Sequence, residues 1–137
     1  MEEKYAKKKR LFVLIIILIF IPIIWFFFLN RSGDFQKTSK QLTGTWLRYD
    51  GVYTLVISSV NKDGTLNVKY FNPSPIEVGP TKWFYKDKKL HAFVELEGPY
   101  QKSHYDLVYD EKKHTLVGTF YQAVAKETYQ VYFNKTK

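Results

Sequence analysis

One arginine and a set of tyrosines hold most of the chemistry available to this chain. Arg48 follows Gly44 and Trp46 at alternate positions, and Tyr53, Tyr70, Tyr85, Tyr105, Tyr109 and Tyr129 join the same parity when the chain is folded back at its turn signals. A phenol taken out of water needs a hydrogen-bond partner. A guanidinium in that setting must reach solvent, meet a carboxylate or meet a ligand, because an uncompensated buried charge is costly. No acidic residue shares the inward parity within the expected strands, which leaves the rim or a ligand for Arg48. An aromatic wall with one cation suits a small planar or acidic molecule. The candidate ligand-binding residues are therefore Arg48, Tyr53, Tyr70, Trp83 and Tyr105.

Other chemistries find little footing. The chain has no cysteine, which excludes a disulfide framework, a thiolate metal site, a cysteine nucleophile and an acylated lipoprotein cysteine. His91, His104 and His114 have no close metal-ligand spacing, so no metal or cofactor is expected. Ser58, Ser59 and Ser103 lie outside any nucleophile-elbow context, and no phosphate-binding glycine loop occurs. Glu95 lies across from His104 in the expected register, with Asp106 further along the same face. Such a cluster reads more simply as a solvated cross-strand pair than as an acid–base centre. The sequence is read as non-enzymatic.

The elements that must position these side chains are strands. From Leu42 onward apolar residues recur with period two, and turn signals stand at Asp50-Gly51, Asn61 to Gly64, Asp87-Lys88 and Asp110 to Lys113. Longer joints fall at Pro73 to Pro80, Glu97 to Lys102 and Ala123 to Glu127. These divide the domain into eight strands near Thr43–Tyr49, Val52–Val60, Thr65–Asn72, Thr81–Lys86, Leu90–Leu96, Ser103–Tyr109, Thr115–Gln122 and Thr128–Asn134. Folding each hairpin about its turn pairs Trp46 with Leu55, Ile57 with Val68, Trp83 with Ala92, Val94 with Tyr105, Leu107 with Gly118 and Phe120 with Tyr129. A meander with one apolar face buries it best by closing on itself, which also removes exposed edges. The expected fold is all-β, a small eight-stranded antiparallel up-and-down β-barrel preceded by one N-terminal transmembrane α-helix.

The opening LTGTWLR, with Gly44 and Trp46 beginning the first strand of the meander, resembles the G-x-W signature of the lipocalins and the wider calycin group. The stretches DGVYTLVI, YFNPSPIEVG and GTFYQAV are similar to small bacterial lipocalin-like domains that follow a signal or anchor segment. The resemblance implies binding rather than catalysis. It also implies a basic residue from the last strand packed over the tryptophan, for which the sequence shows no clear counterpart.

Upstream, Leu11 to Leu29 is a run of nineteen residues without charge, amide or hydroxyl. At about 1.5 Å per residue it spans nearly the roughly 30 Å hydrocarbon core of a bilayer. The expected organisation is a cytoplasmic basic segment at 1–10, a retained transmembrane helix at 11–29, a flexible linker at 30–41 and a barrel at 42–137. The cluster Lys4, Lys7 to Arg10 favours a cytoplasmic N-terminus, which would place the barrel outside a bacterial inner membrane. Of the formal net charge of +8, residues 1–10 carry +3, residues 31–40 carry +2, and residues 41–137, with thirteen basic and ten acidic side chains, carry +3. A basic balance so dispersed argues against nucleic acid. The expected partners are membrane lipid through residues 11–29 and a small-molecule ligand. The alternative is a protein-interaction module, with Pro73 to Pro80 and outward Leu47, Phe71, Phe84, Phe93, Tyr121 and Tyr132 meeting an envelope protein.

Overall fold

Alternation of apolar and polar residues between tight turns leaves each strand of this chain one way to hide its apolar side, and the computed structural model, which describes residues 34–136, follows it. The basic segment at 1–10 and the expected span at 11–29 lie outside the described residues. Lys37–Lys137 forms one compact unit. Its strands are β1 (Gly44–Arg48), β2 (Thr54–Val60), β3 (Leu66–Asn72), β4 (Ser74–Ile76), β5 (Val78–Lys86), β6 (Lys89–Leu96), β7 (His104–Asp110), β8 (Thr115–Gln122) and β9 (Glu127–Lys135). They form a single antiparallel sheet in the order β4-β3-β2-β1-β9-β8-β7-β6-β5. The first and last of the long strands pair, with Trp46 opposite Lys135 and Arg48 opposite Phe133. All six residue pairs expected from the turns are the pairs observed.

The sheet is a nearly closed barrel whose gap lies between β3 and β5. The gap is stitched rather than laddered. The Trp83 N–H donates to the Gly64 carbonyl at 2.7 Å, and the Thr81 hydroxyl accepts from the Leu66 N–H at 3.1 Å and donates to the Leu66 carbonyl at 2.6 Å.

Nine strands replace the expected eight, because the proline-rich joint is itself extended. Pro75 sits in β4, an edge strand, where a missing N–H is tolerated, and Pro80 sits in the register shift between Val78 and Thr81. A second irregularity lies between Ile57 and Ser59. The extra residue turns Val60 inward beside Leu66, leaving both buried, whereas uninterrupted alternation would face Val60 outward. Inward parity also fails to bury residues at the strand ends. Tyr85 and Tyr129 are 50% and 43% exposed because there the parity opens onto the barrel mouths.

Within the segment expected as a linker at 30–41, residues 34–42 are helical, and 30–33 lie outside the described residues. No apolar stripe announces this helix, because its last turn is held by tertiary contacts rather than by propensity. Leu42 and Thr38 are fully buried. The Trp46 indole N–H donates to the Leu42 carbonyl at 2.8 Å, and the Thr38 and Tyr85 hydroxyls share a hydrogen bond of 3.0 Å. β9 runs one residue beyond its expected end, and the Lys135 ammonium lies 5.1 Å from the Trp46 ring centre and donates to the Lys40 carbonyl at 3.0 Å. One end of the barrel is thereby closed. Below the other mouth the interior is filled by Trp46, Leu55, Tyr105, Leu107, Leu116 and Phe133, all fully buried.

Gly118 on β8 lies so close to β7 that a Cβ would overlap the Asp106 carbonyl oxygen. Gly118→Ala should therefore destabilise the fold by about 1–3 kcal/mol through forced backbone displacement. Trp46→Ala should cost about 3–5 kcal/mol through loss of a buried large aromatic. Urea denaturation followed by tyrosine and tryptophan fluorescence reads both, and an unchanged midpoint in either variant contradicts the packing described.

Candidate functional site at the open end

β1, β3 and β8 run toward the open mouth, while β2 and β9 start from it, so their terminal residues converge there. They enclose a depression of about 450 Å³. Arg48 and Asp50 come from the β1–β2 hairpin, Tyr53 precedes β2, Tyr70 and Asn72 end β3, Phe120 and Gln122 end β8, and Tyr129 and Gln130 begin β9. Tyr100 reaches in from the short 3-10 turn Gly98–Tyr100, where its hydroxyl accepts a hydrogen bond from the Asn72 amide at 3.0 Å.

Arg48 is 8% exposed and satisfied on several sides. Its Nε–H and Nη2–H donate to the two Asp50 carboxylate oxygens at 2.7 and 2.8 Å, a bidentate pair, and Nη1–H donates to the Tyr105 hydroxyl at 3.1 Å. The Tyr53 ring lies against the guanidinium, 3.5 Å from its carbon. The choice between rim and ligand is thus replaced by the third possibility, a carboxylate. It comes from the turn rather than from a strand, because Asp50 sits two residues after Arg48 where the backbone reverses through Gly51 at φ +126°. The Arg-x-Asp spacing across an Asp-Gly turn was the available signal.

Beneath the pair, the Tyr105 and Tyr70 hydroxyls share a hydrogen bond of 2.9 Å, and the Tyr105 ring stacks on Phe120. Burial of Arg48 would by itself lower its pKa. The hydrogen bond and charge of Asp50 outweigh this and hold the guanidinium above its ordinary value. The same hydrogen bond holds the Asp50 carboxyl below its ordinary range. Burial raises both Tyr70 and Tyr105, so the phenols stay protonated at neutral pH.

Four of the five expected ligand-binding residues therefore meet: Arg48, Tyr53 and Tyr70 line the mouth, and Tyr105 forms its floor. Trp83 does not join them. It lies toward the other end, beside the β3–β5 gap, with its indole N–H donating to the Asn61 carbonyl at 2.7 Å. Asn72, Tyr100 and Gln122 escaped the sequence reading because they sit at strand ends or in a turn, where parity no longer reports direction, and Gln130 because parity places it, opposite Thr119 within β9, on the outer face.

The outer histidines sit in cross-strand positions. Glu95 pairs with His104, and His91 Nδ1 lies 3.7 Å from Asp106. Both imidazoles pack on aromatics, His91 on Phe84 and His104 between Phe93 and Tyr121. Among the described residues no group of histidine and acidic side chains is arranged to hold a metal. Compared with protein-family models, curated proteins and solved structures, the chain finds no match in any of the three.

The depressed Asp50 pKa gives a signed expectation. A carboxyl whose pKa falls on folding contributes stability that is complete above the unfolded value, about 3.9, and is lost as pH falls through the folded one. Between pH 6 and pH 3 the wild-type denaturation midpoint should fall, and the Asp50→Asn variant should begin lower and fall less. Asp50→Ala should cost about 1–3 kcal/mol at neutral pH, the penalty of leaving a largely buried donor group short of its partner. Parallel acid limbs in wild type and Asp50→Asn would show that the pair contributes nothing.

Proposed function

We propose that the chain is a membrane-anchored, extracytoplasmic, lipocalin-like binding domain without enzymatic activity, and that the open mouth is its ligand site. The observation that carries this reading is a concave, polar and aromatic depression set above a packed core, of a size suited to a small molecule. Among the described residues, three of the five Arg48 N–H groups are engaged, leaving two to meet an acceptor on a ligand. Trp46 covered by Lys135 at the closed end supports the lipocalin-like reading.

Charge narrows the ligand. Arg48 is neutralised by Asp50, and around the mouth Asp50, Glu77, Glu97 and Glu127 outnumber Arg48, Lys102 and Lys126. An anion is repelled there, whereas a small neutral aromatic bearing a carbonyl or hydroxyl oxygen can stack on tyrosine and accept from Arg48. The acidic ligands considered from sequence are thus disfavoured relative to neutral aromatic ones.

Amide chemical-shift titration of the full chain with benzamide and with benzoate tests this. Benzamide should perturb Arg48, Tyr53, Tyr70 and Gln130 at lower concentration than benzoate, and Asp50→Asn should shift the preference toward benzoate by unmasking the arginine. No response at the mouth to either compound overturns the pocket reading. The interaction module then gains ground, favoured by the filled interior and by the outer strip in which His104 lies between Phe93 and Tyr121.

A further inference from the structure

Charge in this domain is segregated along the barrel axis. The closed end gathers residues 37–42 and the β2–β3, β5–β6 and β7–β8 turns, whereas the open end gathers the β1–β2 and β8–β9 turns and the stretches 73–77 and 97–103. At the closed end stand nine exposed lysines, Lys135 among them, against four carboxylates, Asp63, Asp87, Asp110 and Glu111, a net of +5. At the open end stand Arg48, Lys102 and Lys126 against Asp50, Glu77, Glu97 and Glu127, a net of −1. Neither the composition nor a count by segment reveals this, because the lysines come from well-separated turns.

Three of the four carboxylates at the closed end are occupied. Asp63 accepts from the Thr65 backbone and hydroxyl at 2.9 and 2.7 Å. Asp110 accepts from the backbone N–H groups of Lys112 and Lys113 at 2.9 and 3.1 Å, and Glu111 pairs with Lys37 at 2.8 Å. These bonds hold the turns while leaving the lysine heads at Lys86, Lys88, Lys89, Lys112 and Lys113 exposed at the hairpin tips.

We propose that this end is a docking surface for an anionic lipid bilayer. Lysines on exposed turns match a diffuse sheet of headgroup charge, to which each contributes about fivefold in partition when held near the surface. Phe84 and Tyr85 stand exposed beside Lys86, which makes a single-stranded nucleic acid the competing polyanion. A bilayer is also the polyanionic surface that the apolar run at 11–29 would bring with the chain. The inference rests on that anchor and on the charge distribution, and is independent of the ligand at the open mouth. Docking by this end would leave the mouth facing away from the lipid.

The cysteine-free chain allows a single fluorophore to be placed at will. Full-length Lys112→Cys, labelled at the closed end, and Val124→Cys, labelled at the open end, are compared in nanodiscs containing headgroup quencher lipid. One set is phosphatidylcholine alone and the other contains a third of phosphatidylglycerol. The probe at 112 should be quenched severalfold more with phosphatidylglycerol, and the excess should vanish at about 1 M salt, where the screening length falls to about 3 Å. The probe at 124 should not respond. Adding Lys88→Glu and Lys89→Glu to the 112-labelled chain should abolish the lipid-dependent excess. Lys88 lies in an exposed turn and Lys89 is the exposed first residue of β6, and an unchanged circular dichroism melt verifies the fold. Equal quenching at 112 in both lipids overturns the proposal. So does saturable binding of a single-stranded oligonucleotide by the detergent-solubilised chain at physiological salt, which would assign the basic end to nucleic acid.

Discussion

Trp46 is the point on which the closed end depends. It lies on β1, the strand that joins the two halves of the sheet through β2 on one side and β9 on the other. Its indole N–H holds the Leu42 carbonyl, and one ring face is covered by Lys135 from the last strand. The lysine in turn donates to the Lys40 carbonyl, so one aromatic ring ties the beginning of the unit to its end. Burial pushes the Lys135 ammonium below its ordinary pKa, a cost that the ring and the carbonyl offset. Sheet closure and the docking of residues 37–42 are therefore one packing event.

The opposite mouth obeys a different constraint. A guanidinium on inward parity cannot be left unpaired, and the chain resolves this with a carboxylate in the adjoining turn and a phenol below. This satisfies the charge without filling the mouth. The Arg48–Asp50 pair thus separates a dry interior, with Tyr105 and Phe133 fully excluded from water, from a wet rim of amides and phenols. The depression exists because its polar wall is complete enough to stand open to solvent.

The two ends differ in electrostatic sign as well as in packing. The hairpin tips at the closed end present lysines whose neighbouring carboxylates are spent in hydrogen bonds and one ion pair. The open rim carries an excess of acid. A field with this polarity orients the domain against any charged surface.

The strands and their pairing were legible in the sequence because both depend on local facts, the period-two alternation and the position of each turn. Trp46 facing Leu55 and Leu107 facing Gly118 follow from counting outward from a hairpin. The inward set containing Arg48, Tyr53, Tyr70 and Tyr105 follows from the same count. What failed was whatever a neighbour in space decides. Ser58 is inserted without a local signal, and Pro75 becomes an edge strand only because β3 is there to pair with it. Asp50 reaches Arg48 through the shape of a turn, and Trp83 leaves the candidate site because parity specifies a face of the sheet and not a height along it. The helix ending at residue 42 lacks an apolar stripe, so only the barrel end that receives Leu42 could reveal it. By itself the sequence determined the class of fold, the strand register and the identity of the inward residues, since period and turn chemistry are properties of neighbours along the chain. The tertiary structure decided the ninth strand, the closed end and the neutralised arginine, since these arise where residues distant in sequence compete for the same carbonyl, the same charge or the same volume.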